Sequence, residues 1–427
     1  MGKSHMTAPM GPNSMKRVAR VTLAPLHPLR HASSRQHYKE TRMTLFHCKQ
    51  LGFIGAMACL LALPFYSGCS NSSDDDQNNP PEDSVMMNQL QYLGTHNSYH
   101  LRVREDIFDL LLVYIPDVAP TLEYAHIPLT EQLATQGIRQ IELDVFHDPQ
   151  GGLYAAHQAL TLFDEDPASG VPALSEPGLK VLHVQEVDYE TTCDLFTSCL
   201  QEIKQWSDAN PKHLPIMVLV EAKDEQIPDP LNLNFTIPLP FGSIALDTID
   251  AEIRSIFPDQ QLILPETVRG DAVTLELAVL TEGWPLLSEA RGKILFALDN
   301  GGEILERYID GHPSLEGRVL FTNSPPGTPE AAFIKLNNPL SEPGVIEDFV
   351  RQGYMVRTRA DADTVQARSD DTTQREAALA SGAQYVSTDY PAADVAFSAY
   401  KVTIPGDFIA RCNPVNSGEC TPAALSP

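Results

Sequence analysis

The sequence predicts an α/β protein built as an irregular (β/α)8 TIM-type barrel, and three observations support this. Short β-rich runs recur between residues 90 and 390. Helical patterns separate several of them, most clearly over Asp194–Asn210, where apolar residues repeat at spacings of three and four. Strands that alternate with helices form parallel sheets, and eight of them over about 300 residues suit a barrel. A doubly wound sheet gives a similar pattern, so periodicity alone leaves both architectures open.

Eight strands and one insertion are expected. The strands are Gln91–Thr95, Arg139–Val145, either Leu153–His157 or Val181–Val184, Ile216–Ala222, Ile294–Asp299, Val319–Thr322, Met355–Arg359 and Gln384–Thr388. The stretch 224–292, after the fourth strand, is too long for one simple connection and begins with an apolar, Pro-rich piece, Pro228–Gly242. Active-site connections in barrels follow the carboxyl ends of strands. This insertion therefore either contacts lipid at the active-site mouth or packs on the barrel rim.

The head of the chain predicts export. Residues 1–50 hold nine basic residues and one acidic residue, and the uncharged apolar run 51–68 follows. A basic region followed by an apolar core is typical of a secretory signal. Ser67-Gly68-Cys69 matches the end of a bacterial lipobox, although Tyr66 stands where leucine is usual. We therefore expect lipidation of Cys69, with an uncleaved anchor helix over 51–68 as the alternative.

The predicted organisation has four parts. A leader and signal peptide occupy 1–68, with Met43 as an alternative start, and the acidic, polar segment 69–84 forms a tether. A catalytic barrel spans 85–400, and a tail spans 401–427. We expect a monomer at the bacterial outer membrane or cell surface as a lipoprotein, or in a periplasmic or secreted form. The net charge of −26 argues against nucleic-acid binding.

Four cysteines lie in the exported part: Cys193, Cys199, Cys412 and Cys420. An even number in an exported protein predicts two disulfides, for which three pairings exist. The local pairs are favoured. Two cysteines six residues apart in one helix point in different directions and cannot bond, so Cys193 must precede the predicted helix.

Polar side chains that a strand interior normally excludes appear at successive strand ends: His96, Asn97, Glu142, Asp144, His157, Glu221 and Lys223. Glu142 and Asp144 share one strand face, as do Glu221 and Lys223. Three converging carboxylates repel one another unless a cation is present, and their hard oxygen atoms suit Ca²⁺ or Mg²⁺ better than Zn²⁺. An exported location favours Ca²⁺. The two histidines suit general acid and base catalysis.

The order and spacing of these residues resemble the catalytic X-region of phosphoinositide-specific phospholipases C, and most closely the calcium-dependent bacterial branch. GYMVRTRADADT (353–364) and ALASGAQYVSTDYP (378–391) are similar to the last two strands of that branch. The resemblance covers roughly residues 88–400 and implies a TIM-type barrel with calcium at its mouth. It also implies that the calcium ligands are Asn97, Glu142, Asp144 and Glu221.

The resemblance further implies a reaction on a membrane phospholipid. The inositol 2-hydroxyl attacks phosphorus, diacylglycerol leaves, and a cyclic inositol phosphate forms. His96 and His157 are the implied catalytic pair: His157 protonates the leaving oxygen and His96 hydrogen-bonds the phosphoryl oxygens. Glu142 or Glu221 takes the hydroxyl proton.

Three further residues are candidates for the same site. Lys223 and Arg359 are expected to contact the phosphate or inositol, and a structural ion pair is the alternative for Arg359. His183 competes with His157 for the role of the acid.

Two other functions compete with this one. Glycerophosphodiester phosphodiesterases and sphingomyelinase-D-type enzymes also carry Glu-x-Asp, a later histidine and Glu-x-Lys on a barrel. The former usually show His-Arg-Gly at the first strand, whereas His96 is followed by Asn97-Ser98. An inactive, lipid-binding surface lipoprotein would be expected to have lost part of the constellation, and all six of its positions are intact.

Overall fold

The computed structural model describes residues 84–341 and 344–417, together with residues 420 and 425. The predicted leader, Met43, Cys69 and all but the last residue of the predicted tether lie outside this part. Within it, no helix combines the length and the apolar character needed to cross a bilayer.

The described residues form an almost closed barrel of eight parallel strands. The ten strands along the chain are β1 (Leu90–Thr95), β2 (Gln140–Phe146), β3 (Lys180–Val181), β4 (Ile216–Ala222), β5 (Ile294–Leu298), β6 (Leu320–Thr322), β7 (Phe333–Lys335), β8 (Met355–Arg359), β9 (Tyr385–Thr388) and β10 (Ala410–Cys412). Around the barrel the order is β6-β5-β4-β2-β1-β9-β8-β7. A single parallel bridge between Asn323 and Phe333 brings β6 to β7. The predicted barrel is confirmed, and the open doubly wound sheet is excluded.

Helices cover the outside of the barrel, so its longer strands are buried on both faces. They are α1 (Glu105–Tyr114), α2 (Leu129–Thr135), α3 (Phe196–Ala209), α4 (Ser243–Ile256), α5 (Pro265–Arg269), α6 (Leu275–Thr281), α7 (Leu287–Ala290), α8 (Gly302–Ile309), α9 (Val345–Gln352), α10 (Val365–Ser369) and α11 (Thr373–Ala380). On α3, Cys199, Leu200 and Ile203 are buried in the same core as the apolar run of β4. This spacing of three and four is the periodicity that predicted the helix.

Two of the expected strands differ from the structure. Neither Leu153–His157 nor Val181–Val184 joins the barrel. Val181 belongs to β3, a two-residue strand that pairs antiparallel with the end of β2. The barrel strand that the sequence analysis did not predict is β7, whose three residues are too few to show a period in the sequence. The insertion 224–292 therefore follows the third strand of the barrel, not the fourth. Strand β10, in the predicted tail, pairs antiparallel with the start of β1.

Two disulfides and one close approach between strands constrain the chain locally. Disulfides join Cys193 to Cys199 and Cys412 to Cys420, which are the favoured local pairs, and Cys193 precedes α3 as predicted. At Gly94 a Cβ atom would lie 2.1 Å from the Gln140 side-chain oxygen, so only glycine permits this approach of β1 to β2.

The seam between β6 and β7 yields a prediction about stability. The Lys335 backbone N–H donates to Asn323 Oδ1 at 2.9 Å, which replaces a ladder hydrogen bond that these short strands lack. We expect Asn323→Ala to lower the free energy of unfolding by about 1 kcal/mol, measured by denaturant titration. Asn323→Asp retains an acceptor oxygen and should lose less; equal losses in both variants would contradict this role.

Candidate active site

The parallel register brings three carboxylates together inside the barrel. Asp144 on β2 lies opposite Glu221 on β4, and Glu142 lies two residues earlier on the same face as Asp144. One oxygen atom from each of these carboxylates lies within 4.8 Å of the other two. The three carboxylates therefore meet at the strand ends, as the sequence predicted.

Burial makes this cluster electrostatically unfavourable by itself. Burial and the neighbouring Glu221 carboxylate raise the pKa of Asp144 well above its ordinary value. Burial likewise raises the pKa of Glu142 to about 7, although Arg357 Nη2 lies 2.6 Å from its Oε2. Lys223 Nζ lies 3.5 Å from Asp144 and 3.6 Å from Glu221, which balances part of the charge.

Several buried oxygen atoms of the site lack hydrogen-bond partners. Neither carboxylate oxygen of Asp144 has a hydrogen bond within the described part of the chain, and neither does Asn97 Oδ1. Asn97 is 1% exposed, and its Nδ2 donates to the Tyr124 hydroxyl at 2.9 Å. Buried polar atoms are rarely left unpaired unless they bind something, and three carboxylates with an amide oxygen suit a hard divalent cation. The predicted ligand residues thus fit such an ion.

His96 lies beside the cluster and is paired with an aspartate that the sequence analysis missed. Its Nδ1 lies 2.8 Å from Asp389 Oδ1, and its Nε2 lies 3.2 Å from Arg359 Nη1 and 3.8 Å from Glu142 Oε1. Arg359 also donates to Asp389 at 2.9 Å. Burial and the Arg359 charge lower the pKa of His96 to about 3. His96 is therefore neutral at pH 7, and the predicted Arg359 is an ion-pair partner within the site.

A second histidine–aspartate pair involves His183. Its Nδ1 lies 2.6 Å from Asp188 Oδ2, and His100 Nε2 contacts the same carboxylate at 2.8 and 3.0 Å. Burial opposes ionisation of Asp188, but the two histidines outweigh it and lower the pKa of Asp188 to about 2. The His100 ring stacks on Tyr124 at 4.3 Å, and the Tyr124 hydroxyl accepts from Asn97, so this pair adjoins the predicted ligand Asn97.

His157 has a different environment. Its ring stacks on Tyr189 with centroids 3.5 Å apart, and burial alone lowers its pKa to about 4. In residues 84–341 and 344–417, no contact joins its side chain to the carboxylates. The predicted catalytic role of His157 stays a prediction.

Further charged residues of the site escaped the sequence analysis. Lys335 on β7 forms an ion pair with Asp299, which follows β5. The charge of Asp299 raises the pKa of Glu142, and the charge of Arg357 lowers the pKa of Asp299. Asp299 and Asp389 each directly follow a barrel strand, so an acidic residue after an apolar run was the available signal. Lys335 gave no such signal because its strand was not recognised.

A parallel barrel that gathers carboxylates, histidines and basic side chains at one edge is the arrangement of a metal-dependent phosphodiesterase. Residues 85–414 match the family described as calcium-dependent phosphoinositide phospholipase C. The chain therefore belongs to this family, whose members are phosphodiesterases. The glycerophosphodiesterase, sphingomyelinase-D and inactive-lipoprotein alternatives are not supported.

Solved structures with similar folds carry related names. A calcium-dependent phosphoinositol-specific phospholipase C from a Pseudomonas species is 14% identical, with a TM-score of 0.45, and the match covers 78% of this chain and 97% of that chain. A calcium-dependent phosphatidylinositol-specific phospholipase C from Streptomyces antibioticus is 17% identical, with a TM-score of 0.44 and coverage of 72% and 96%. The Listeria monocytogenes phosphatidylinositol-specific enzyme is 14% identical, with a TM-score of 0.40 and coverage of 72% and 89%. No curated protein matches.

The carboxylate cluster predicts an unusual response to Asp144→Asn. Because folding raises the pKa of Asp144, its ionised form destabilises the cation-free protein as the pH rises above the ordinary carboxyl range. In chelator at pH 7.5 the variant should unfold at the same or a higher temperature than the wild type. It should also lose the rise in Tm that millimolar calcium produces.

Thermal unfolding with and without calcium checks this. Asp247→Asn, which removes a carboxylate that is 61% exposed and pairs with Arg318, is the matched control and should keep the calcium response. A full calcium response in Asp144→Asn would place the cation elsewhere.

Proposed function

We propose that this protein is an exported, calcium-dependent phospholipase C that cleaves phosphatidylinositol-type lipids to diacylglycerol and a cyclic inositol phosphate. The observation that carries the proposal is the position of three clustered carboxylates, with the buried Asp144 oxygens lacking hydrogen bonds, beside two histidine–aspartate pairs at one edge of the barrel. Family membership supports phosphoinositide as the substrate class.

The residues that would hold calcium are Asn97, Glu142, Asp144 and Glu221. When bound, the ion supplies a positive charge that stabilises the negative charge developing on the phosphoryl group and lowers the pKa of the attacking hydroxyl. Calcium is favoured over magnesium because the site offers many oxygen ligands from side chains, whereas Mg²⁺ usually retains several waters.

Glu142 is suited to accept the proton of the inositol 2-hydroxyl, because its pKa of about 7 suits proton transfer near neutral pH. His96 is the second candidate for this role. Burial opposes ionisation of Asp389, but Arg359 and His96 outweigh it and lower the Asp389 pKa. The ionised Asp389 accepts a hydrogen bond from His96 Nδ1–H, which fixes the tautomer and leaves Nε2 as an acceptor. Arg359 Nη1 lies 3.2 Å from this Nε2, and the low pKa of His96 makes it a weaker base than Glu142.

His183 is suited to protonate the leaving glycerol oxygen. Its Nδ1–H donates to the ionised Asp188, which stabilises the imidazolium form, and only that form carries on Nε2 the proton that would be transferred. Burial opposes this form and lowers the pKa of His183, whereas Asp188 raises it. His157 remains the second candidate, since the family resemblance implies it. Lys223 and Arg359 carry fixed positive charge at the site and would contact the phosphate oxygens in the bound substrate.

Export and anchoring are part of the proposal. Two disulfides in one chain favour an oxidising compartment, which agrees with the basic and apolar segments that precede Cys69. A lipid on Cys69, or residues 51–68 themselves, would hold the enzyme at a membrane, and we expect it to act as a monomer.

Product analysis tests the reaction. With phosphatidylinositol in mixed micelles and millimolar calcium, we expect diacylglycerol and cyclic inositol phosphate, resolved by chromatography and phosphorus NMR. Activity should fall to background in chelator and return with calcium, and magnesium should restore less of it. Phosphatidic acid or a free alcohol as the lipid product would overturn the assignment, and a headgroup panel would rank the substrates.

Two histidine variants test which residue is the general acid. We expect His183→Gln to lower kcat by about 10²–10⁴-fold, since that is the usual contribution of a general acid. His157→Gln should leave kcat within about threefold, because its ring contacts Tyr189 and not the carboxylates. Steady-state kinetics on the same substrate make the comparison, and the reverse ranking would return the role to His157.

A further inference from the structure

The side chains of His100, His183 and Asp188 converge on one point and share no residue with the carboxylate cluster. His183 Nδ1 lies 2.6 Å from Asp188 Oδ2, and His100 Nε2 lies 3.0 Å from the same oxygen. The two rings are nearly perpendicular, at 89°, with centroids 5.5 Å apart. One nitrogen atom from each ring and one carboxylate oxygen thus approach a common centre from different directions, all within 4.8 Å of one another.

Backbone pairing holds these three residues together. His100 pairs antiparallel with Thr191, which lies three residues after Asp188. Val184 and Asp188 exchange two backbone hydrogen bonds of 2.9 Å, so a tight turn keeps His183 next to Asp188. The three donor atoms are therefore preorganised, which lowers the free energy needed to gather them around an ion.

The site is buried but accessible from one side. The His100 and Asp188 side chains have no exposed surface, whereas the His183 side chain is 18% exposed. The His100 ring stacks on Tyr124 with centroids 4.3 Å apart, which fixes the orientation of the more deeply buried imidazole. An ion can therefore reach the donors past the His183 ring, while the other two side chains are shielded from water.

The donor atoms differ in kind from those of the carboxylate cluster. Two imidazole nitrogens and one carboxylate oxygen suit a borderline transition metal such as Zn²⁺, which prefers nitrogen or sulfur donors and tetrahedral geometry. Calcium takes about six to eight oxygen ligands, so the two clusters select different ions. Three protein donors leave the fourth position on zinc open to a water molecule or an anion.

We propose that His100, His183 and Asp188 form a second metal site, which binds Zn²⁺ or a chemically similar transition metal and thereby inhibits the enzyme. The metal binds through His100 Nε2, His183 Nδ1 and an Asp188 oxygen, and each neutral ring then carries its hydrogen on its other nitrogen. The inhibition rests on the proposed function, in which the His183 imidazolium is the general acid. Zinc on Nδ1 occupies the place of the Nδ1 proton, so this imidazolium cannot form.

Isothermal titration calorimetry of the full chain with zinc, in millimolar calcium, measures the binding while calcium fills the carboxylate cluster. We expect His100→Gln to raise the zinc Kd by at least about tenfold, since losing even an outer-shell partner of a metal ligand costs about 10–100-fold. His183→Gln, at the accessible side, should do the same, so the test does not depend on one buried substitution. His312→Gln is the matched control, because His312 precedes β6 and contacts the Glu316 carbonyl; its Kd should stay within about twofold.

Cobalt reports the geometry of the bound ion, because four-coordinate Co²⁺ absorbs visible light much more strongly than Co²⁺ in a six-coordinate oxygen site. In excess calcium we expect this strong absorption in the wild type, its loss in His100→Gln and its retention in His312→Gln. Asp144→Asn should also retain it, since Asp144 belongs to the other cluster. Loss of the absorption in Asp144→Asn would place the ion among the carboxylates and overturn the proposal.

Activity measurements separate this proposal from the proposed function. Zinc should inhibit calcium-dependent hydrolysis of phosphatidylinositol in mixed micelles, with half-inhibition at the zinc concentration that half-fills the site in calorimetry. If the wild type hydrolyses no inositol phosphodiester, the proposed function fails, while calorimetry and the cobalt spectra still report on the metal site. A zinc Kd that is equal in the wild type and both histidine variants would overturn the metal site. Zinc binding without inhibition would overturn its inhibitory role.

Discussion

The site depends on how the protein compensates the unfavourable free energy of burying negative charge at the carboxyl edge of the barrel. Glu142 and Asp144 are almost fully buried, and their pKa values are raised because water cannot solvate their ionised forms. Arg357, itself 1% exposed, balances Glu142 directly, and Lys223 balances Asp144 in part. Removing one member of the Arg357–Glu142 pair would leave an uncompensated buried charge, which costs more than the pair contributes, so these two side chains hold one another in place.

The same balance arranges the histidines of the candidate site. Asp389 is held by Arg359 and in turn fixes His96, while Asp188 is held between two histidines. Each histidine is thereby oriented by an ionised carboxylate. Asn97 connects to this system through the Tyr124 hydroxyl, and the Tyr124 ring stacks on His100 at 4.3 Å. The cation ligands and the histidine–aspartate pairs therefore form one network of contacts.

Much of the fold and part of the site could be predicted because both follow from short-range patterns. Apolar runs such as Ile216–Val220 mark buried strands, and the alternation along β2 places Glu142 and Asp144 on one face whatever surrounds them. Strand β7 could not be found, since three residues show no period, and Lys335 was lost with it. The antiparallel pairing of β3 with β2 depends on contacts between distant segments, which local sequence does not encode.

By itself the sequence determined the alternation of strands and helices, the acidic cluster, the local disulfides and the family resemblance, because each depends on residue type and spacing along one strand or one short segment. Only the tertiary structure decided that the barrel closes and which histidines pair with carboxylates. His157 has the spacing of the family and stacks on Tyr189, whereas His183, 39 residues after Asp144, pairs with Asp188. Partners such as Asp389 for His96 are nearly 300 residues apart, and only the closing of the barrel brings such groups into contact.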